Sequence, residues 1–351
     1  MKVLICVLSS IVIFSFSSCP MPFEELFNMP CEEIIKHFTR GNRNARVTVG
    51  IIQDGEVSFT VYGENGKVMP NVEHVYQIAS ITKVLTAQLF ARAVRENRVN
   101  LDDTIDLFLD LPANRHYPTI KQLLTHTSGF QRDYYHGQGT LTGGFIALYP
   151  YHGITERMVI NTIREANIGD RDYPFKYSNF GIAVAGLVLE KIYNTDFTSL
   201  IHSYLYDLGM HNTKVGDGRG DLSNYWVADK GNPFIPSGAL VSTITDMMMF
   251  AQMQIDGYPA YVNSLHSVFA YVDPPVEISG IEFYRHDAMG LGWHICTVND
   301  LIYHAGDTGS FNSFLVFDKA NRIAVVVLDN IRGYSRSAVA IGSAKIMELR
   351  R

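Results

Sequence analysis

The chain has little of what most readily gives a function away. Among its 351 residues are 4 cysteines, none of them paired as C-x-x-C, and no H-E-x-x-H occurs. The common zinc and dithiol spacings are thereby absent, and neither a metal nor another cofactor is expected. Lysine and arginine form no run, and 29 of them stand against 35 acidic residues for a formal net charge of -6. A nucleic-acid partner requires a basic face to neutralise phosphates, so that class is set aside. The G-x-S-x-G turn is missing, which argues against an α/β-hydrolase. No internal repeat or low-complexity tract organises the chain either.

What is present is a hydrophobic content of 47%, enough for a sizeable core in one two-lobed domain or in two domains. Met1-Lys2 followed by the apolar Val3 to Phe16 reads as a secretory signal over residues 1–18, too short for a comfortable membrane span. Ser17 and Ser18 before Cys19 permit ordinary cleavage, a lipoprotein-type cut that lipidates Cys19, or an uncleaved anchor. The expected location is therefore secreted or extracytoplasmic, with membrane attachment through the N-terminus in the last two cases. Cys6 belongs to the leader, so Cys31 and Cys296 are the two cysteines of the folded body beyond the junction. They either bridge or remain two buried thiols.

Ser80-Ile81-Thr82-Lys83 is the most informative segment, because it opens an apolar stripe of Ile81, Val84, Leu85, Leu89 and Ala93 at helical spacing that ends near Asn97. At i and i+3 a hydroxyl and an amine share one face of the first turn. A lysine that stays neutral can take the serine's proton and turn it into a nucleophile. Burial and the positive end of the helix dipole both disfavour the ammonium. S-x-x-K also arises by chance about once in a chain of this length, so position and company decide.

That company is ordered. Val47 to Ile52 and Glu56 to Tyr62 read as a hairpin through Gln53-Asp54-Gly55. Residues from Leu101 to about Val227 are mostly helical patterns broken by loops, among them a Tyr- and Gly-rich stretch from Tyr134 to Gly144 with the character of a lid or binding loop. Leu301 to His304, Ser313 to Asp318 and Ile323 to Asp329 read as strands, and a last helix runs from Ser335 to Leu349. The expected fold is α+β in three layers, α/β/α: an antiparallel sheet built from both chain ends, flanked by helices, with an inserted mostly helical lobe. Its domain spans residues 22–351, with a sheet lobe at about 22–78 and 235–351 and a helical lobe at about 79–234.

Ser80 to Lys83, then Tyr177-Ser178-Asn179 before the helical Phe180 to Leu189, then His304-Ala305-Gly306 on a late strand resemble the three signatures of the serine β-lactamase and penicillin-binding protein superfamily. The likeness is to its class C and esterase or D-aminopeptidase-like branch, and Leu123 to Phe130, Ser237 to Thr243 and Gly290 to Trp293 extend it over nearly the whole mature chain. It implies a β-lactamase/transpeptidase-like fold and a serine hydrolase whose small-molecule or peptide substrate has an ester or amide bond. Ser80 would form the acyl-enzyme, with Lys83 and Tyr177 sharing the proton transfers and the Lys83 cation favouring the Tyr177 phenolate. Asn179 would hold Lys83 and touch the substrate amide, and the oxyanion would rest on the backbone N–H groups of Ser80 and Asp307, beside Gly306. The resemblance places His126 in a structural loop rather than in the catalytic set, and Trp293 reads as core.

One departure bears on substrate. The third signature starts with His304, where dedicated β-lactamases have Lys, so a neutral imidazole replaces a fixed cation and gains charge only as pH falls through about 6.5. That weakens capture of a substrate carboxylate. A true β-lactamase or D-Ala-D-Ala carboxypeptidase is the alternative enzyme, and a catalytically idle ligand-binding or scaffold homologue is the alternative from another class. Oligomeric state is left open.

Overall fold

In the computed structural model, residues 23–26, 29–134, 150–278, 281–334 and 336–351 are described. The apolar leader and all of the Tyr134 to Gly144 stretch except Tyr134 lie outside them. Two helices, α1 (Phe23–Leu26) and α2 (Cys31–Phe38), lead into a hairpin of β1 (Val47–Gln53) and β2 (Glu56–Tyr62). Its turn residues Asp54 and Gly55 have φ of 54° and 80°. Two successive left-handed residues are what a tight two-residue hairpin needs, and Asp followed by Gly adopts them at low cost.

Short strands β3 (Val68–Met69) and β4 (Tyr76–Gln77) precede the long helix α3 (Thr82–Arg95). A helical middle follows, with α4 (Ile120–Leu124), α5 (Glu156–Glu165), α6 (Asn179–Tyr193) and α7 (Phe197–Asp207). Caps mark their starts, as at α4, where Thr119 and Gln122 satisfy each other's backbone N–H groups. Then come β5 (Lys214–Val215), α8 (Ile235–Gly238), β6 (Leu240–Ser242) and α9 (Ile244–Asp256). The chain closes with β7 (Ala270–Ile278), β8 (Ile281–Met289), β9 (His294–Cys296), β10 (Leu301–Asp307), β11 (Asn312–Asp318), β12 (Ile323–Asp329) and α10 (Ser337–Leu349).

Among the described residues a nine-stranded antiparallel sheet has the order β3-β2-β1-β12-β11-β10-β9-β8-β7, so the first hairpin pairs with the last strand. Strands β11 and β12 are buried at every position, because helices cover both faces. Alternation divides the sheet's side chains between two cores. Ala324, Val326 and Leu328 join Leu315 and Phe317 against α3, α6 and α9, while Val325 and Val327 join Val316 against α2 and α10. Trp293 is fully buried in the first core, edge-on to Phe317 at 5.3 Å, as expected of a core residue.

Strands β7, β8 and β9 were not expected from the sequence. Asp273-Pro274-Pro275 lies inside β7, and proline cannot donate to a ladder; β7 tolerates two because it is the sheet's edge strand. Cys31 and Cys296 are buried, free thiols, which settles the open alternative against a bridge. Among the described residues no helix is long and apolar enough to cross a membrane.

Candidate active site

Ser80 sits in a 3₁₀ turn, Ala79–Ile81, immediately before α3. The backbone of Ile78, just before this turn, is tied down on both sides. Ile78 N–H donates to Leu240 O at 3.0 Å, and Ile78 O accepts from Ile81 N–H at 3.1 Å and from the Ser313 hydroxyl at 2.8 Å. Ala79 is forced to φ of 45°, a left-handed conformation that a residue with a Cβ seldom takes. Gly306 explains how the turn fits: a Cβ there would lie 2.5 Å from Ile78 O and 2.9 Å from Ala79 Cβ, so only glycine lets β10 pass this closely.

Lys83, one turn into the helix, is fully buried. Its Nζ is hydrogen-bonded to Ser80 Oγ at 2.9 Å and donates to Ser237 O on α8 at 2.5 Å. Burial drives its pKa well below the ordinary lysine value; Asp133 opposes this and Arg132 adds to it. Burial thus favours the free-amine form of the side chain that the sequence singled out as a base.

Tyr177 stands just before the N-cap of α6. Ser178 caps the helix by accepting from Gly181 N–H at 2.8 Å, and its hydroxyl donates to Gln131 O at 2.6 Å. Residues 126–133 grip this turn from outside: Lys176 N–H donates to His126 O at 2.8 Å, Ser178 N–H to His126 Nδ1 at 3.2 Å, and Asn179 N–H to Arg132 O at 2.7 Å. The Tyr177 ring centre lies 4.9 Å from Lys83 Nζ, and its phenol is hydrogen-bonded to Ser80. Burial pushes the Tyr177 pKa up, against the lowering effects of Ser80 and Arg132.

His304 and Gly306 point to the same sheet face as Leu315 and Ser313, their partners across β11. Thr308 N–H donates to Phe311 O, which makes 308 and 311 a bonded pair. Bonded and unbonded pairs alternate, so Asp307, opposite Asn312, turns its N–H away from β11 and beyond Tyr303, where pairing with β9 stops. The structure thus brings Ser80, Lys83, Tyr177, Gly306 and the backbone of β10 together.

Three expected details change. Asn179 does not hold Lys83: its Nδ2 donates to Asp133 Oδ1 at 2.7 Å, and the carbonyl of Ser237 takes the lysine instead. Burial works against a Tyr177 phenolate supported by a Lys83 cation, because it disfavours the charged form of both groups. His304 does not gain charge near pH 6.5; burial, then the nearby Lys83, push it down to about 3. Its Nδ1 lies 2.8 Å from Ala305 O, so that nitrogen carries the hydrogen, and its buried Nε2 is an acceptor with no partner among the described residues.

Arg132, Asp133 and two further histidines were missed. The Arg132 guanidinium stands 5.5 Å from the Tyr177 ring centre, and His294 stacks between Tyr177 and Tyr303 while bonding His286 at 3.0 Å. Of these, only Arg132 and Asp133 gave a signal, as charges directly after the Leu123 to Phe130 phrase.

Comparison with known proteins bears on the fold that carries this site. The chain is similar to "Protein flp" of Staphylococcus aureus (strain N315), 23% identical over 333 residues that cover 86% of this chain and 62% of that one. It thus spans about three fifths of the length of that relative. In structure it is similar to the octameric penicillin-binding protein homologue from Pyrococcus abyssi, with a TM-score of 0.69 at 21% identity over 94% of this chain and 78% of the other. It is also similar to a β-lactamase/D-alanine carboxypeptidase from Yersinia pestis, with a TM-score of 0.70 at 18% identity over 95% of this chain and 100% of that one. At such identities the likeness shows the β-lactamase/transpeptidase fold and no more. The family model for β-lactamase matches residues 32–344, nearly the whole described body, and the chain belongs to the β-lactamase family.

Proposed function

We propose that the protein is a serine hydrolase that cleaves an amide or ester through an acyl-enzyme on Ser80. The observation that carries this reading is a fully buried Lys83 amine 2.9 Å from the Ser80 hydroxyl, where burial drives its pKa well below the ordinary lysine value. As Ser80 Oγ attacks the carbonyl, its proton passes to Lys83 Nζ. The oxyanion is received by the N–H groups of Ser80 and Asp307. Tyr177, kept protonated by burial, gives its proton to the leaving group and recovers one from the Lys83 ammonium. Water then attacks the ester carbonyl on Ser80 and gives a proton to Lys83 Nζ, which passes it to Ser80 Oγ as the acyl C–O bond breaks, releasing the acid and restoring both groups.

His304 offers an acceptor where a cation would hold a substrate carboxylate, which favours an esterase or peptidase over a dedicated β-lactamase. The leader fits activity outside the cytoplasm. A fluorophosphonate probe followed by intact-mass measurement tests the nucleophile: one adduct, on Ser80, is expected, and none in Ser80→Ala. Turnover of p-nitrophenyl esters, D-amino-acid amides and a chromogenic cephalosporin then ranks the substrate classes. Equal labelling of Ser80→Ala, or an adduct on Ser128 or Ser310, refutes the assignment.

A further inference from the structure

We propose that Arg132 gives this active site an anion subsite, so that its preferred ester or amide carries a carboxylate or comparable anion near the scissile group. The inference rests on the hydrolase reading and names the substrate class for the same site.

Several basic side chains lie around the reacting groups, and burial disfavours the charged forms of Lys83, His126, His294 and His304. Lys83 is fully buried and committed to Ser80 and Ser237. His304 is buried and neutral, its one N–H committed to Ala305 O. Arg132 differs in each respect. A guanidinium stays charged at any working pH. Its side chain is 60% exposed, while its backbone is anchored beside the site, because Arg132 O accepts from the N–H groups of Asn179 and Phe180 at the start of α6. The guanidinium lies over the Tyr177 ring at 5.5 Å, on the wall of the site itself.

Asp133 completes the device rather than cancelling it. Its Oδ1 accepts from Asn179 Nδ2 at 2.7 Å and from the Tyr151 hydroxyl at 2.6 Å, while its Oδ2 faces Arg132 Nε at 3.3 Å. The carboxylate is 25% exposed and its oxygens are engaged, which disfavours the opposite reading, a subsite for a substrate ammonium. It steers Arg132 through Nε alone. The two outer nitrogens of the fork have no partner among the described residues, and a fork of that shape matches a carboxylate bidentately.

The test compares esters within each protein, so that any change in general turnover cancels. Neutral p-nitrophenyl butyrate is set against p-nitrophenyl hemisuccinate, with the carboxylate on the acyl side, and against 4-butyryloxybenzoate, with it on the leaving side. Relative to wild type, Arg132→Gln lowers the anionic-to-neutral ratio of kcat/KM by about three- to tenfold in at least one arm, the scale for a partly exposed charged pair. Arg132→Lys retains part of the preference, and raising salt from about 20 to 500 mM erodes it in wild type. Ratios that Arg132→Gln leaves unmoved in both arms overturn the subsite while Ser80-dependent hydrolysis stands. No turnover of any ester, together with no probe adduct on Ser80, overturns the hydrolase reading beneath it.

Discussion

The two faces of the nine-stranded sheet are built for different ends. Against α2 and α10 the core is almost wholly apolar: Ile34, Ile35, Val47, Val49, Val316, Val325, Val327 and Ile341 are buried there. Even the Cys31 thiol there is held protonated, since burial pushes its pKa up to about 12. On the opposite face Lys83, His126 and His304 are buried just as deeply, and none has an ion-pair partner at hydrogen-bonding distance among the described residues. Burying polar groups in this way costs stability unless something offsets it. The same burial reduces that cost by disfavouring the charged forms of the lysine and both imidazoles. One face supplies stability and the other spends some of it on groups kept in a reactive state.

The largest effects should separate the faces cleanly. Lys83→Met replaces the neutral amine with an apolar chain of similar length, and kcat should fall by about a hundredfold or more, the scale for losing an acid/base group. Tm should hold or rise, because a buried polar group has been removed. Ile341→Ala on the far face should do the reverse, costing about 2 to 4 kcal/mol in denaturant unfolding while the rate per folded molecule stays as it was. If Lys83→Met unfolds the protein and Ile341→Ala slows catalysis, the division of labour is wrong.

What was legible in the sequence follows the same division. Ser80 and Lys83 were readable because an i, i+3 pair at a helix start is a local relation, and β11 and β12 because apolar runs of seven residues carry their own signal. The grip of Ser237 on Lys83 was not, since it uses a backbone carbonyl 154 residues away that has no side-chain signature. The turning of Asn179 toward Asp133 depends on where residues 126–133 lie in space. His304 was placed correctly on its strand, but its titration was misjudged, because burial is a property of the packed structure and not of the residue. Strand β7 was hidden by its own prolines.

A middle-sized effect probes the positioning of Tyr177. His126, at φ of 59°, accepts Ser178 N–H through Nδ1 and packs against the Tyr177 ring, 4.5 Å between centroids with the planes tilted by 38°. It acts through its neighbours. His126→Ala leaves the Ser178 N–H unpaired and should lower kcat by about tenfold, with KM little changed. His126→Asn should recover most of the loss, since asparagine offers an acceptor near the same point and tolerates positive φ. Rates are to be normalised to sites titrated with the probe. A purely structural role would lower Tm and the titratable fraction together and leave the normalised rate unmoved.

The smallest effect tests the apolar face where it is least apolar. Asp329, at the end of β12, is fully buried, and its carboxyl accepts from Asn312 Nδ2 at 2.9 Å, Ile331 N–H at 2.9 Å and the Ser337 hydroxyl at 2.6 Å. These donors are neutral, and burial outweighs them, raising its pKa to about 7. In the unfolded chain the same group titrates near about 3.9. Below pH 4 both states hold the proton and its contribution is fully present. As pH rises from there toward 7 only the unfolded state ionises, so stability falls by at most about 1.4 kcal/mol per unit, and above 7 the loss is complete and the dependence ends. Asp329→Asn keeps an oxygen for Asn312 and Ile331 and can donate to the Ser337 oxygen, leaving that hydroxyl its contact with Tyr334 O at 3.3 Å. Thermal melts of both proteins between pH 5 and 8 should show the wild-type Tm declining relative to the variant up to about pH 7 and running parallel beyond it. Parallel curves throughout would mean that Asp329 is ionised in the folded protein across that range, and that the apolar face tolerates a buried charge which the catalytic face has to neutralise.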